Sequence, residues 1–292
     1  MKTKTFTLAF MAILLLASCE KAVFDEPKDE PKDEPEETAN LILRIAGFEQ
    51  VPFDTRAPQD ITALCSRINV ALYQDGERVK AVNQKADDSD FGTVNLTVEP
   101  GTYQFVVLAH SCSGNATTTN IEKITFPNNL ITDTFYYYGE VSVGSSTQQE
   151  ELTLRRCVSM FRFDITDNIP SDVKTMQFYY TGGSSTFSAL SGYGSVNSRQ
   201  TVKFSITSAQ QGQPAVFDVY TMLHDEQGTL KMTVTAFDAA ENVLYQREFN
   251  DVPMTRNAIT RYSGTFFDGG AKESGYTFVA DGEWDAEYSY SF

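Results

Sequence analysis

Histidine is almost missing from this sequence. Only His110 and His224 occur in 292 residues, so a histidine-dependent nucleophile or a zinc centre starts with little material. Tryptophan occurs once, at Trp284. The four cysteines, Cys19, Cys65, Cys112 and Cys157, include no C-x-x-C pair, which removes the common dithiol and zinc spacings. No segment carries a sustained 3.6-residue apolar stripe with caps, so helices are not expected. There is no P-loop, no Gly-x-Gly-x-x-Gly after a strand, no Gly-x-Ser-x-Gly and no His-Glu-x-x-His. Glu283 and Asp285 flank Trp284 on one strand face, where like charges solvate more often than they catalyse. Asp87, Asp88 and Asp90 share a loop whose spacing does not fit an EF-hand. The expectation is no enzyme, no cofactor and no metal. Basic charge is scarce as well: 23 Lys and Arg stand against 39 Asp and Glu, a net charge of −16. A surface of that sign repels nucleic acid, so no nucleic-acid partner is expected.

The longest apolar run, Phe6 to Leu16, is too short for a bilayer core of about 30 Å. Lys2 and Lys4 precede it and Leu16-Ala17-Ser18-Cys19 closes it, the layout of a secretory signal over residues 1–18. Leu-Ala-Ser-Cys resembles a bacterial lipobox. That resemblance implies cleavage before Cys19, acylation of its thiol with palmitate-type chains, and a membrane contact made through lipid. Two or three such chains anchor stably where one is marginal. Residues 20–37 read EKAVFDEPKDEPKDEPEE, with prolines four apart and nine carboxylates against three lysines. Proline and like charge both oppose a helix, so residues 19–38 are expected to be an extended, solvated tether. Polyproline geometry at about 3.1 Å per residue gives a reach on the order of 50 Å. Acidic residues just after the lipidated cysteine also resemble the surface-export signal of lipoproteins in Bacteroidetes-type bacteria. The signal carries +2 and the tether −6, which leaves −12 on the body. With Cys19 committed to lipid, three cysteines remain, enough for one bridge and one free thiol. Cys65 and Cys157 lie in apolar-alternating segments, where buried thiols are the default.

From Thr38 onward the chain is rich in Phe and Tyr (21 and 14 residues) and punctuated by Gly and Pro, a β composition. Asn40 to Gly47 (NLILRIAG) is a short apolar strand with Leu41, Leu43 and Ile45 on one face. Gln50 to Gln59 is a loop containing Arg56. In RINVALYQ, Ile68, Val70 and Leu72 face one way and Asn69, Ala71 and Tyr73 the other. Asp75-Gly76 is a hairpin dipeptide. TVNLTV, a turn at Glu99-Pro100-Gly101, and TYQFVVLA follow. TFYYYGEVSV is an aromatic strand in which Gly139 suggests a bulge. Tyr136 to Tyr138 could stack on a sugar or pack on both faces of a sheet. Gly144 to Glu150 is polar and suggests a boundary. ELTLRRCVSMFRFDIT then opens a second series of strands, interrupted by a Gly/Ser-rich loop at 182–197. The fold class expected is all-β, with two β-sandwich domains at residues 39–149 and 150–292.

Five runs, CSRINVALYQDG, VNLTVEPGTYQFVVLAH, TDTFYYYGEVSV, LTLRRCVSMFRFDI and VPMTRNAITRYSGTFF, resemble the FimB/Mfa2 family of fimbrial proteins from Bacteroidetes in order and spacing. The likeness extends from about Cys65 to Phe267. It implies two tandem transthyretin-like, Greek-key sandwiches and a lipid-anchored, surface-exposed place on the outer membrane within a fimbria. Its partners would be other fimbrial subunits, and it implies no catalysis. Assembly in such proteins proceeds by strand exchange, in which a neighbour's strand fills an open groove. The segment bearing Leu41, Leu43 and Ile45 is the candidate for that exchange. Phe53-Asp54-Thr55-Arg56-Ala57 is similar to the site at which related stalk pilins are cut after arginine, an event that anchors do not undergo. Three readings stay open: an anchor or accessory subunit contributing to adhesion, a polymerising pilin processed after Arg56, and a surface lipoprotein that binds a host or glycan ligand through Tyr136, Tyr138 and Trp284. The C-terminal run Tyr276 to Phe292 could donate a strand or pair within its own domain.

Overall fold

A computed structural model of the chain describes residues 39–49, 61–268, 276–279 and 286–292. Cys19, the tether, Arg56, Glu283, Trp284 and Asp285 lie outside the described residues. Thr38–Phe292 is one compact unit, and its described part is built almost entirely of strands. The first eight are β1 (Leu41–Phe48), β2 (Arg67–Gln74), β3 (Glu77–Lys85), β4 (Thr93–Leu96), β5 (Gly101–His110), β6 (Ile124–Thr125), β7 (Thr134–Val143) and β8 (Gln148–Arg156). The next six are β9 (Ser159–Ile165), β10 (Thr175–Gly183), β11 (Thr186–Ser188), β12 (Tyr193–Gly194), β13 (Ser198–Ser205) and β14 (Ala215–Thr221). β15 (Gln227–Phe237), β16 (Val243–Thr255), β17 (Ala258–Gly264), β18 (Tyr276–Val279) and β19 (Ala286–Ser291) complete the order.

Seven of these strands form one sheet in the order β3-β2-β5-β7-β8-β1-β4. It closes over a core containing Leu41, Leu43, Ile68, Val70, Leu72, Phe105, Val107, Phe135 and Leu154. The period-two reading of β2 holds, and both of its faces are buried: Ala71 and Tyr73 enter a second core together with Val106, Leu108 and Tyr136. A strand covered on both sides must be apolar throughout, which is why β5 reads as the near-continuous run TYQFVVLA. The β2–β3 hairpin turns on Asp75 and Gly76, at φ 53° and 82°, the two left-handed positions that a type I′ turn requires. Gly139 is not a bulge. The β5–β7 register runs unbroken from Gly101↔Val143 to His110↔Thr134, and the glycine instead leaves room for the Tyr137 ring, which would lie 2.8 Å from a Cβ at that position.

The later strands form two further sheets, β13-β10-β15-β16 and β14-β9-β17-β19-β18. Between them lies an aromatic core with Phe163 at its centre. Its ring meets Phe178 at 5.6 Å, Phe249 at 5.7 Å, Phe266 at 5.7 Å and, stacked, Phe292 at 4.6 Å. The C-terminal strand pairs within its own sheet: β19 runs parallel to β17 and antiparallel to β18.

Two further expectations give way. The run Glu151–Thr166 is divided. β8 stays with the first sheet, paired to β1 and β7, and the chain passes to the later sheets at Cys157–Val158, so the expected boundary at 149/150 falls inside β8. Residues 182–197 are not a plain loop. β11 pairs with β12 and with β6 from the first half of the chain, because Phe187 inserts into the second core at 0% exposure. That core also takes Met160, Met222 and Ile259, so side chains from both halves share one apolar interior.

Candidate functional site

The candidate site is the slot that holds β1. Leu41 and Leu43 are 0% and 1% exposed, whereas Ile45 is half-buried. Alternation turns Ile42 and Arg44 outward. β1 pairs antiparallel with β4, Leu41↔Leu96 to Arg44↔Thr93, and parallel with β8, Leu41↔Gln148 onward, with a break between Ile45 and Gly47. Each buried leucine contributes about 1.5–3 kcal/mol from area alone. The ion pair Arg44–Glu151, at 3.1 Å with both side chains more than half exposed, adds close to nothing.

Both ends of the strand are fastened. At its start the Asn40 side chain donates to the carbonyls of Val98 (2.7 Å) and Gly144 (3.1 Å) and accepts from the Val98 amide at 3.0 Å. At its finish the Glu49 amide donates to the Leu154 carbonyl at 2.7 Å, and Phe48 meets Phe135 edge-on at 4.8 Å. The alternating leucines were legible in the sequence. The Asn40 clamp was not, because its two partner residues, Val98 and Gly144, lie 58 and 104 residues away.

The aromatic platform expected at Tyr136 and Tyr138 is not assembled. Tyr136 is 0% exposed, packed edge-on against Phe187 at 4.8 Å and roofed by Gly192. A sugar has no access to it, so Tyr136 is withdrawn as a glycan contact. Tyr138 is half-buried against the same core. The physical reason is the second core: β7 is covered on both faces, so a run of three tyrosines supplies packing on each side.

The buried polar group around His110 is satisfied in a way that holds the fold. The Cys112 amide donates to His110 Nδ1 at 3.1 Å, which places the imidazole proton on Nε2, facing Asn69 Oδ1 at 2.7 Å. Asn69 Oδ1 also accepts from the Ala116 amide at 2.9 Å. Burial, with the Arg67 charge adding to it, lowers the His110 pKa to about 4. Unfolded histidine titrates near 6.5, so the unfolded chain binds the extra proton between these two values. The contribution of His110 is therefore complete above pH 6.5 and lost as pH falls toward 4, worth up to about 3 kcal/mol. Urea unfolding at pH 7 and pH 4.5 should show a smaller loss for His110→Gln than for the native chain; equal losses would contradict the buried neutral imidazole.

Cys65, Cys112 and Cys157 are free and buried. Burial raises all three thiols, Cys65 to about 12. With Cys19 replaced by serine, thiol reagents at pH 8 should leave the native body unlabelled and modify all three cysteines in denaturant, since the thiolate is the reactive species. Labelling of any of them at the rate of an open thiol would contradict this.

The geometry defines an all-β body whose N-terminal strand is an inserted, separately fastened element. No group of three or more metal-ligating side chains occurs among the described residues. The sequence profile of a family of unknown function, DUF6562, matches residues 33–289, and the chain belongs to that family. No curated protein sequence matches it. Among solved structures, a protein of Bacteroides ovatus ATCC 8483 described as a candidate adhesin is similar at 14% identity and a TM-score of 0.47, over 81% of this chain and 88% of that one. The fimbrial anchor protein Mfa2 of Porphyromonas gingivalis, of the family that the sequence resembles, is similar at 9% identity and a TM-score of 0.40, over 71% and 80%. A fimbrial assembly protein from Parabacteroides distasonis ATCC 8503 is similar at 12% and 0.36, over 79% and 91%.

Proposed function

We propose that this chain is a lipid-anchored, surface-exposed subunit of a fimbria. In this reading it is an anchor or accessory component that takes part in adhesion, joins its partners by β-strand exchange and catalyses nothing. One observation carries the reading. β1 is a short strand seated between β4 and β8, with two leucines in the core and a separate fastening at each end. It lies next in the chain after the segment read as lipobox and tether. A strand inserted in this way is the element whose place a neighbour's strand can take, with main-chain hydrogen bonds for affinity and alternate side chains for register. A lipid on Cys19 would hold the body at the outer membrane, and the acidic surface would keep it soluble there. Processing after Arg56 would instead release β1 from the body and make the chain a polymerising pilin.

The exchange is tested by complementation. A chain lacking residues 39–49 should associate or precipitate, and a synthetic peptide of residues 40–49 should restore a soluble monomer. The same peptide with Leu41→Asp and Leu43→Asp should fail. A truncated chain that is monomeric and as stable as the native one, with no affinity for the peptide, would overturn the reading.

A further inference from the structure

A second concave feature lies away from the β1 slot, where the start of β15 and the end of β16 face β19. It is a cleft of about 440 Å³, within the range of small-ligand sites, roughly 300–1,000 Å³. Tyr288 and Tyr290 alternate on β19 and so line it from one face. Both are half-buried, and Tyr290 leans on Tyr262 at a ring separation of 4.9 Å. Gln227 and Thr229 are exposed at the opposite wall, with Thr255 beside them.

Two negative features narrow the ligand. None of the eight lining residues is charged, although 21% of the chain is. An ionic ligand would find no countercharge among these described residues. A strand is also a poor fit, although β16 is the edge of its sheet. Pro253 has no N–H, and its carbonyl already accepts the Thr260 hydroxyl at 2.7 Å, so the edge has no continuous row of donors and acceptors here. Tyrosine rings, two hydroxyl side chains and an amide match a molecule with apolar C–H faces and hydroxyls that both donate and accept.

We propose that the cleft between β16 and β19 binds a short neutral carbohydrate, its ring faces against Tyr288 and Tyr290 and its hydroxyls toward Gln227, Thr229 and Thr255. This goes beyond the strand-exchange reading and does not depend on it. The tyrosines stand two apart in the segment AEYSYSF, a spacing that gains meaning only once β19 is seen to face the β15–β16 hairpin.

The test is a glycan array carrying neutral and acidic glycans, probed with the fluorescently labelled full chain and followed by titration of the strongest neutral binder. Tyr288→Ala and Thr229→Lys should each weaken that binding by roughly tenfold or more. Thr229 is exposed, so its variant should keep the native melting temperature and separate binding from folding. Binding to acidic glycans alone, binding to no glycan, or neutral binding unchanged by both variants would overturn the proposal. So would a peptide of residues 40–48 that occupies the cleft, loses affinity in Thr229→Lys and meets no competition from any glycan.

Discussion

Phe163→Ala is expected to destabilise the body by about 3–5 kcal/mol, the usual cost of removing a fully buried aromatic ring. Phe163 is 0% exposed, and four rings contact it at 4.6–5.7 Å. Those rings come from β10, β16, the segment after β17 and the C-terminal residue Phe292. No single neighbour can collapse into the space without leaving the others, so the cavity term should be near the top of its range. Because Phe292 stacks on Phe163 and also meets Phe249 at 5.4 Å, the end of β19 should loosen first. Urea unfolding followed by tyrosine fluorescence and hydrogen exchange measures both effects. A loss below about 1 kcal/mol, or unchanged protection of β19, would contradict this packing.

Asp133→Ala is expected to cost about 3 kcal/mol or more, because it leaves a buried guanidinium without its carboxylate. Arg156 is 2% exposed, donates to both Asp133 oxygens at 2.8 and 3.0 Å, and also donates to Asn257 Oδ1 at 3.1 Å. The group sits where the chain leaves the first sheet. It joins the start of β7, the end of β8 and the β16–β17 turn, and it lies over the Phe135 ring at 4.6 Å. Adding Arg156→Met to Asp133→Ala should recover much of the loss, since an apolar replacement of the pair removes the stranded charge. A double variant no more stable than Asp133→Ala would show that the pair is not the source of the cost.

These two sites also mark how far the sequence could be read. The alternation of Met160, Arg162 and Asp164 against Phe161, Phe163 and Ile165 is visible in the linear text, and β9 follows it. The same holds for the leucines of β1, because a strand buried on one face writes its period into the sequence. Arg156 gave no such sign. Its partners are 23 and 101 residues away, and in RRC it looks like a solvated charge. β11 and β12 were hidden for another reason: they lie in a Gly/Ser-rich stretch and are held by burial of Phe187 and by pairing with β6, so local propensity says little about them. Tyr136 misled because an aromatic run fits a ligand platform and a doubly covered strand equally well until the second core is seen. Of the β1 slot, Leu41 and Leu43 were legible, and the Asn40 clamp was not.

The central claim is that the mature chain is tethered through Cys19 with β1 still attached. Intact mass and N-terminal analysis of the protein taken from whole cells tests it most directly. The account predicts a single product that begins at an acylated Cys19. A product beginning at Ala57 would contradict it, detach β1 from the body and make the chain a processed, polymerising subunit.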